Sequence, residues 1–360
     1  MTLRVVQWAT GTVGIHAVPA IARHPDLDLI GLWVHSPDKV GRDAGEICGV
    51  EDFGVAATND VDALLDLKPD AICHTAHSDV RPGAVVEDLC RFLAAGINVV
   101  NTSYVALLDP SVAGPGVLDQ LEAACREGGS SVYTWGIDPG FGNVGLTVPA
   151  LEMCERVDRI TMSEIVDYAT WDNPFTMFEI MGFGKASAAE SLLLSPGSTT
   201  IAWGPVLNLV ATAMGVQLED ITERHEIVLA DEEFEIASGT IPVGGIAAMR
   251  FWVEGWVGGE PRIILQHVTR LRPGQVPEWP SYPAGGESGY VIEVEGEPSL
   301  KLTLSVDSTR GDHNTAGCLA TAAAVVNAIP LVCAADPGVL TWLDLPVHAA
   351  PHVMTGGTPR

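Results

Sequence analysis

Positive charge is scarce in this chain. Nineteen lysines and arginines stand against 46 aspartates and glutamates, for a formal charge of −27. Nucleic acids and anionic membranes bind through basic faces, so both are excluded as expected partners, and the charge reads as a solvated acidic surface. Cysteine pairing is missing as well. Cys48, Cys73, Cys90, Cys125, Cys154, Cys318 and Cys333 are scattered without one C-x-x-C pair, the pattern of reduced thiols in a cytoplasmic protein. Signatures of nucleophilic or nucleotide hydrolysis (G-x-S-x-G, H-E-x-x-H, a P-loop) do not occur. His74 and His77 flank one strand end but have no third ligand cluster, so no metal is expected. The one long apolar run, Gly317 to Ala335, is interrupted by Asn327 and Pro330 and reads as a buried helix, not a membrane span. The chain enters a strand at Leu3, and the expectation is a cytoplasmic protein without a secretory leader.

What is present begins at the N-terminus. Leu3 to Trp8 reads as a short buried strand, and from Thr12 a helix is expected, with Val13, Ala17 and Ile21 one turn apart. Between them Ala9, Gly11 and Gly14 form A-x-G-x-x-G, a dinucleotide fingerprint whose first glycine is replaced. In that motif the middle glycine lets backbone approach a pyrophosphate and the last lets helix pack on strand. The helix N-terminus adds free N–H groups and partial positive charge. Thr10, Gly11, Thr12, Val13 and Gly14 are therefore expected to hold a nicotinamide dinucleotide.

The first 136 residues continue to alternate strand and helix, as in a Rossmann doubly wound parallel sheet. Ligands bind beyond the carboxyl ends of such strands, which adds Thr75, Ala76, His77 and Thr102 as cofactor contacts. After Gly136 strand-like runs dominate. Residues 137–312 are expected to form a second α+β domain, on an open, mostly antiparallel sheet, for substrate binding and dimerisation. From His313 to Ile329 an apolar helix ended by Pro330 is expected, with 313–360 packing back on the first domain.

Where an NAD-binding domain usually places an acid on the ribose 2′-OH, this chain has Val34-His35-Ser36-Pro37-Asp38-Lys39. His35 and Ser36 occupy the acid's place, and Lys39 and Arg42 supply charge for a 2′-phosphate. NADP is thus preferred over NAD, although Asp38 leaves a route to a 2′-OH.

With the fingerprint, the run from His35 to Glu46 and Gly136-Ile137-Asp138-Pro139-Gly140-Phe141, the chain resembles the dihydrodipicolinate-reductase-like proteins. The resemblance is to the branch of 2,4-diaminopentanoate dehydrogenase and the native amine dehydrogenases. It implies an N-terminal Rossmann domain, a C-terminal substrate and dimerisation domain, and hydride transfer between NAD(P)H and a C=O or C=N carbon. Amine dehydrogenases place glutamates after the fifth strand, and here the matching Asn101-Thr102-Ser103-Tyr104-Val105-Ala106 has no acid.

The expected activity is hydride exchange between NADP(H) and a small, fairly apolar carbonyl, imine or amine; the alternative is a non-catalytic NADP-binding sensor or scaffold. Such chemistry needs a proton donor in a site that excludes water. Tyr104 and Asp138 are the candidates, each with a plainer role as pocket wall or turn cap. Trp135, Tyr168, Asn173 and Met177 are expected to contact substrate, joined by Trp252 and Trp279 in an aromatic enclosure. Glu164, Tyr168 and Asp172 read as substrate contacts or a solvated face, and His267 as an ordinary sheet residue with the alternative of facing the substrate.

Overall fold

The computed structural model describes residues 2–76, 82–283, 286–350 and 353–354. The chain divides into two compact units, one of residues 1–136 with 318–360 and the other of residues 137–317.

The first unit is built on a seven-stranded parallel sheet. Its strands are β1 (Leu3–Trp8), β2 (Leu27–Trp33), β3 (Ala57–Thr58), β4 (Ala71–His74), β5 (Asn98–Asn101), β6 (Ser131–Thr134) and, from the C-terminal end, Gly338–Leu340. The order across the sheet runs from Gly338–Leu340 through β6, β5, β4, β1 and β2 to β3. β1 therefore sits at the switch point where the winding reverses, the place where open α/β sheets take their ligands. Val5, Val6 and Trp8 of β1 are buried, as are Leu89, Phe92 and Leu93 of the helix Pro82–Ala94. Burying each such side chain contributes about 1.5–3 kcal/mol. Trp8 lies flat against Trp33, ring centroids 4.5 Å apart, fixing β1 and β2 side by side.

The second unit carries a six-stranded mixed sheet. Its strands are β7 (Arg156–Asp167), β8 (Asp220–Leu229), β11 (Ile246–Val257), β12 (Glu260–Arg270), β13 (Ser288–Glu297) and β14 (Leu300–Leu304), with a separate hairpin of β9 (Phe234–Ile236) and β10 (Gly239–Ile241). The order is β14-β13-β7-β12-β11-β8, antiparallel except for the parallel pair β7 and β12. The helix Ser198–Ala213 packs on β11, β12 and β8.

β8 and β9 are separated by the turn around Asp231 and Glu232. One expectation of detail fails. Pro330 does not end the last helix, which runs from His313 to Ala334. Proline removes one backbone N–H, yet the buried stripe Val325, Val326, Ile329 and Val332 continues past it and holds the last turn. This helix is long and apolar enough to cross a membrane by length and composition, but that stripe is the kind a core helix also carries.

Candidate active site

In the first unit the turn after β1 is tied from below. Gln7, fully buried, donates from Nε2 to Ala9 O at 3.0 Å and to Thr75 Oγ1 at 2.8 Å. Thr75 Oγ1 in turn donates to Trp8 O at 3.2 Å. Ala9 stands at φ +77°, a left-handed conformation for which glycine is the ordinary choice. The two remaining fingerprint glycines differ in kind. A Cβ on Gly14 would lie 2.2 Å from Ala9 O and 2.8 Å from Thr75 Oγ1, so the turn closes only over glycine. A Cβ on Gly11 would meet nothing within 4 Å. Helix α1 (Gly14–Ala22) starts behind Val13 with no side chain capping it. Packing thus demands Gly14, while exposed Gly11 stands in open space beside a helix start without a side-chain cap, and this turn fits a dinucleotide diphosphate.

Around the end of β2, Lys39 Nζ donates to Thr10 Oγ1 at 3.0 Å, linking the acid-free segment to the fingerprint turn. Ser36 precedes a short 3₁₀ turn and His35 is exposed. Arg42 is engaged by Glu46 at 3.1 Å. Thr102 N donates to His74 O at 3.1 Å, and Ala76 is half-buried. His77 lies outside the described residues. His74 is buried with Nδ1 2.6 Å from Ser103 Oγ; burial pulls its pKa down to about 3, so the ring is neutral. Tyr104 spends its hydroxyl on Ala113 O at 2.8 Å.

The second unit brings together a group the sequence kept apart. Register pairs Phe251 with His267, His267 with Glu164, and Glu164 with Tyr290, a row across β11, β12, β7 and β13. His267 Nε2 lies 2.7 Å from Glu164 Oε2, and Tyr290 OH donates to Glu164 Oε1 at 2.9 Å. The other ring nitrogen of His267 is 3.0 Å from Thr269 Oγ1, while the imidazole stacks on Phe251 with centroids 4.9 Å apart. Over this row comes the loop after Gly136. Its Gly142 rests on the Tyr290 ring so closely that a Cβ would sit 2.5 Å from it. The loop delivers Asp138, whose carboxyl hydrogen-bonds Glu164. Trp203 of the helix Ser198–Ala213 donates to Asp138 Oδ1 at 2.6 Å, and Asn143 Nδ2 lies 3.4 Å from Oδ2.

The two carboxyls divide the proton between them. Burial, then the nearby Glu164 charge, holds the Asp138 carboxyl well above the ordinary aspartate range. Burial also pushes Glu164 upward, but the attraction and hydrogen bond of His267, with bonds from Asp138 and Tyr290, outweigh it and bring Glu164 below its usual value. Two like charges this close in a dry site do not both ionise easily. The proton rests on Asp138, the charge on Glu164.

Of the expected substrate contacts in the second unit, Tyr168 alone stands beside this group, its ring centroid 6.2 Å from that of His267. Met177 is fully buried in a core cluster with Met181 and Phe183. Asn173 Oδ1 accepts from Thr176 N at 3.2 Å, a local turn cap. Trp135 belongs to the first unit, stacked between Tyr133 and Trp342. Trp279 packs with Ile165 and Val268, and Trp252 lies between Arg224 and Arg250. Ile165, Val268 and Trp252 are each one residue away from Glu164, His267 and Phe251, and side chains alternate along a strand, so both tryptophans lie on the opposite face of the sheet. Within the second unit, Trp252 and Trp279 are thus not gathered with Tyr168 around Glu164. Glu164 was legible as a substrate contact or a solvated face and His267 as a sheet residue with a route to the substrate, but their pairing was not, because nothing local marks a register.

A turn in which one glycine is required by packing and its neighbour stands open is what dinucleotide-dependent dehydrogenases build at the switch point, and the chain is of that class: an NAD(P)-dependent oxidoreductase on a Rossmann sheet. Residues 145–357 match the family model described as 2,4-diaminopentanoate dehydrogenase C-terminal domain. The chain is 37% identical over 351 residues to an amine dehydrogenase of Streptomyces virginiae, covering 97% of both proteins. It is 26% identical over 359 residues to the 2,4-diaminopentanoate dehydrogenase of Acetoanaerobium sticklandii, covering 97% of this chain and 94% of that one. Its fold matches the solved structure of amine dehydrogenase from Mycobacterium smegmatis with a TM-score of 0.77 at 20% identity, over 96% of this chain and 97% of the other. The chain belongs to the amine dehydrogenase and 2,4-diaminopentanoate dehydrogenase family.

Proposed function

We propose that this protein is an NADP-preferring amine dehydrogenase, interconverting a small, fairly apolar carbonyl compound and ammonia with the corresponding amine. The observation that carries the reading is the fingerprint turn, with Gly11 open and Gly14 closed, in a chain whose 37%-identical relative is named an amine dehydrogenase. A bound nicotinamide supplies or accepts the hydride. Thr10 to Gly14 would hold its diphosphate on backbone N–H groups, with Thr75 and Gln7 keeping the turn in shape. The 2′-phosphate preference is supported by the missing acid and by Lys39, tethered to Thr10.

Oxidation of NADPH by a panel of short ketones, with and without ammonium, tests the reading. Ammonia-dependent turnover with amine as product is expected. NADPH binding without turnover of any substrate would favour the sensor or scaffold reading instead. A homodimer and a cytoplasmic setting belong to the same proposal. The first is supported by the sheet face bearing Trp252 between Arg224 and Arg250, and light scattering tests it. The second is supported by the scattered cysteines, none of which forms a disulfide.

A further inference from the structure

We propose that Asp138 and Glu164 act as one proton-sharing acid pair that gives a proton to the substrate's oxygen and takes one back from its nitrogen; this assignment rests on the amine-dehydrogenase reading above.

The geometry separates the two carboxyls by task. Both oxygens of Glu164 are spoken for, Oε2 by His267 at 2.7 Å and Oε1 by Tyr290 at 2.9 Å. The side chain of Glu164 is 12% exposed and that of His267 4%. Glu164 is held, not free to meet a substrate. Asp138 is half-buried, bonded by Trp203 at 2.6 Å on one oxygen and only weakly, at 3.4 Å, by Asn143 on the other. A hydrogen-bonded line thus runs from buried Thr269 and His267 through Glu164 to Asp138, its one less enclosed end. Mixed acid, imidazole, phenol and indole groups in one such line are a means of setting where a proton rests, and more than a solvated acidic face.

Amine formation needs that device. Ammonia adds to the carbonyl carbon to give a carbinolamine, with hydroxyl and amino groups on the same carbon. Asp138 in its acid form protonates the hydroxyl as the C–O bond breaks, the nitrogen lone pair forms C=N, and water leaves. The Asp138 carboxylate then takes the proton from nitrogen. Ketone and ammonia have thus become imine and water with no net proton consumed. In the reduction that follows, the imine carbon gains the hydride of NAD(P)H, leaving NAD(P)⁺, and its nitrogen gains one proton from the same acid, completing the amine. That proton is the one consumed overall, and solvent replaces it on Asp138. While Asp138 is ionised it faces the charge of Glu164, and the like-charge repulsion drives it to recapture a proton. Glu164, His267 and Tyr290 are positioning residues; Asp138 is the catalytic one.

The test combines kinetics with infrared spectroscopy of the full chain. Asp138→Asn is expected to lower kcat with ketone and ammonium at least about 100-fold without changing NADPH affinity, and Asp138→Glu to restore part of it. Glu164→Gln is expected to move the alkaline limb of the kcat profile to lower pH, because the charge that keeps Asp138 protonated is gone. An active wild type whose Asp138→Asn variant keeps both kcat and pH profile overturns the proposal and leaves the amine reading standing. If the wild type makes no amine, that reading fails, and the infrared measurement decides on the pair itself. A protonated carboxyl band at neutral pH, lost in Asp138→Asn and perturbed by ammonium chloride but not sodium chloride, supports an amine-binding acid pair. No such band, or one indifferent to ammonium, overturns it.

Discussion

His267 and Glu164 are register partners on the parallel strands β12 and β7, and their side chains meet at 2.7 Å on one face of the sheet. One residue's slip in either strand would send both to opposite faces. Around this pair the second unit collects Asp138, Tyr290 and Trp203.

Replacing Glu164 by glutamine should destabilise the protein by about 3 kcal/mol at neutral pH, since one partner of a buried pair is removed. The sign with pH follows from the lowered Glu164 pKa. Its contribution is full above the ordinary glutamate value of 4.5 and is lost as pH falls through the lower folded value. Urea unfolding at pH 7 and pH 4 should show the wild-type advantage shrinking toward acid.

Asp138 behaves in the opposite sense. Its folded pKa is raised, so its acid form is tolerated below the ordinary value of 3.8, and stability is lost as pH climbs through the raised value. Asp138→Asn removes that penalty. Thermal melts from pH 5 to pH 9 should show the variant gaining on wild type as pH rises, even while turnover collapses.

The fingerprint glycines should separate stability from binding. Gly14→Ala forces a Cβ against Ala9 O and Thr75 Oγ1 and should cost about 1–3 kcal/mol. Gly11→Val meets open space within the protein, so its melting temperature should barely move while NADPH affinity, read by fluorescence titration, falls at least about tenfold (~1.4 kcal/mol). Ala9→Gly relieves a left-handed alanine and should stabilise by about 1 kcal/mol.

Tyr104→Phe removes a hydroxyl bonded to Ala113 O. The expected loss is about 1 kcal/mol of stability with kcat unchanged, measured by denaturant unfolding and steady-state turnover on the same preparation. A kcat loss of about 100-fold or more, the scale of a lost general acid, would return Tyr104 to the chemistry.

Much of the first unit was legible because its signals are local. Leu3–Trp8 is a strand with the boundaries its apolar run implies, and Gly14 lies at the helix start where the fingerprint puts it. The strand Gly338–Leu340 escaped, being three residues joined to β6 from the far end of the chain. Gln7 escaped too, since a polar residue in a buried strand announces nothing about the turn it braces. Asp138 was legible as a proton donor from its loop and Glu164 as a substrate contact or solvated face, but the pairing of Glu164 with His267 was not. They stand 103 residues apart in sequence, and only the register of β7 against β12 makes them neighbours. Pro330 misled for a physical reason: tertiary burial on both sides of it outweighs its local cost to the helix.

The most direct measurement follows one hydrogen atom. NADPH carrying deuterium at the transferable C4 position is incubated with the protein, a short ketone and ammonium, and the product is read by mass spectrometry. A carbon bearing both nitrogen and one deuterium, formed only when ammonium is present, is the predicted result. A product without deuterium, a deuterated alcohol formed equally well without ammonium, or no product with either nicotinamide cofactor would contradict the account.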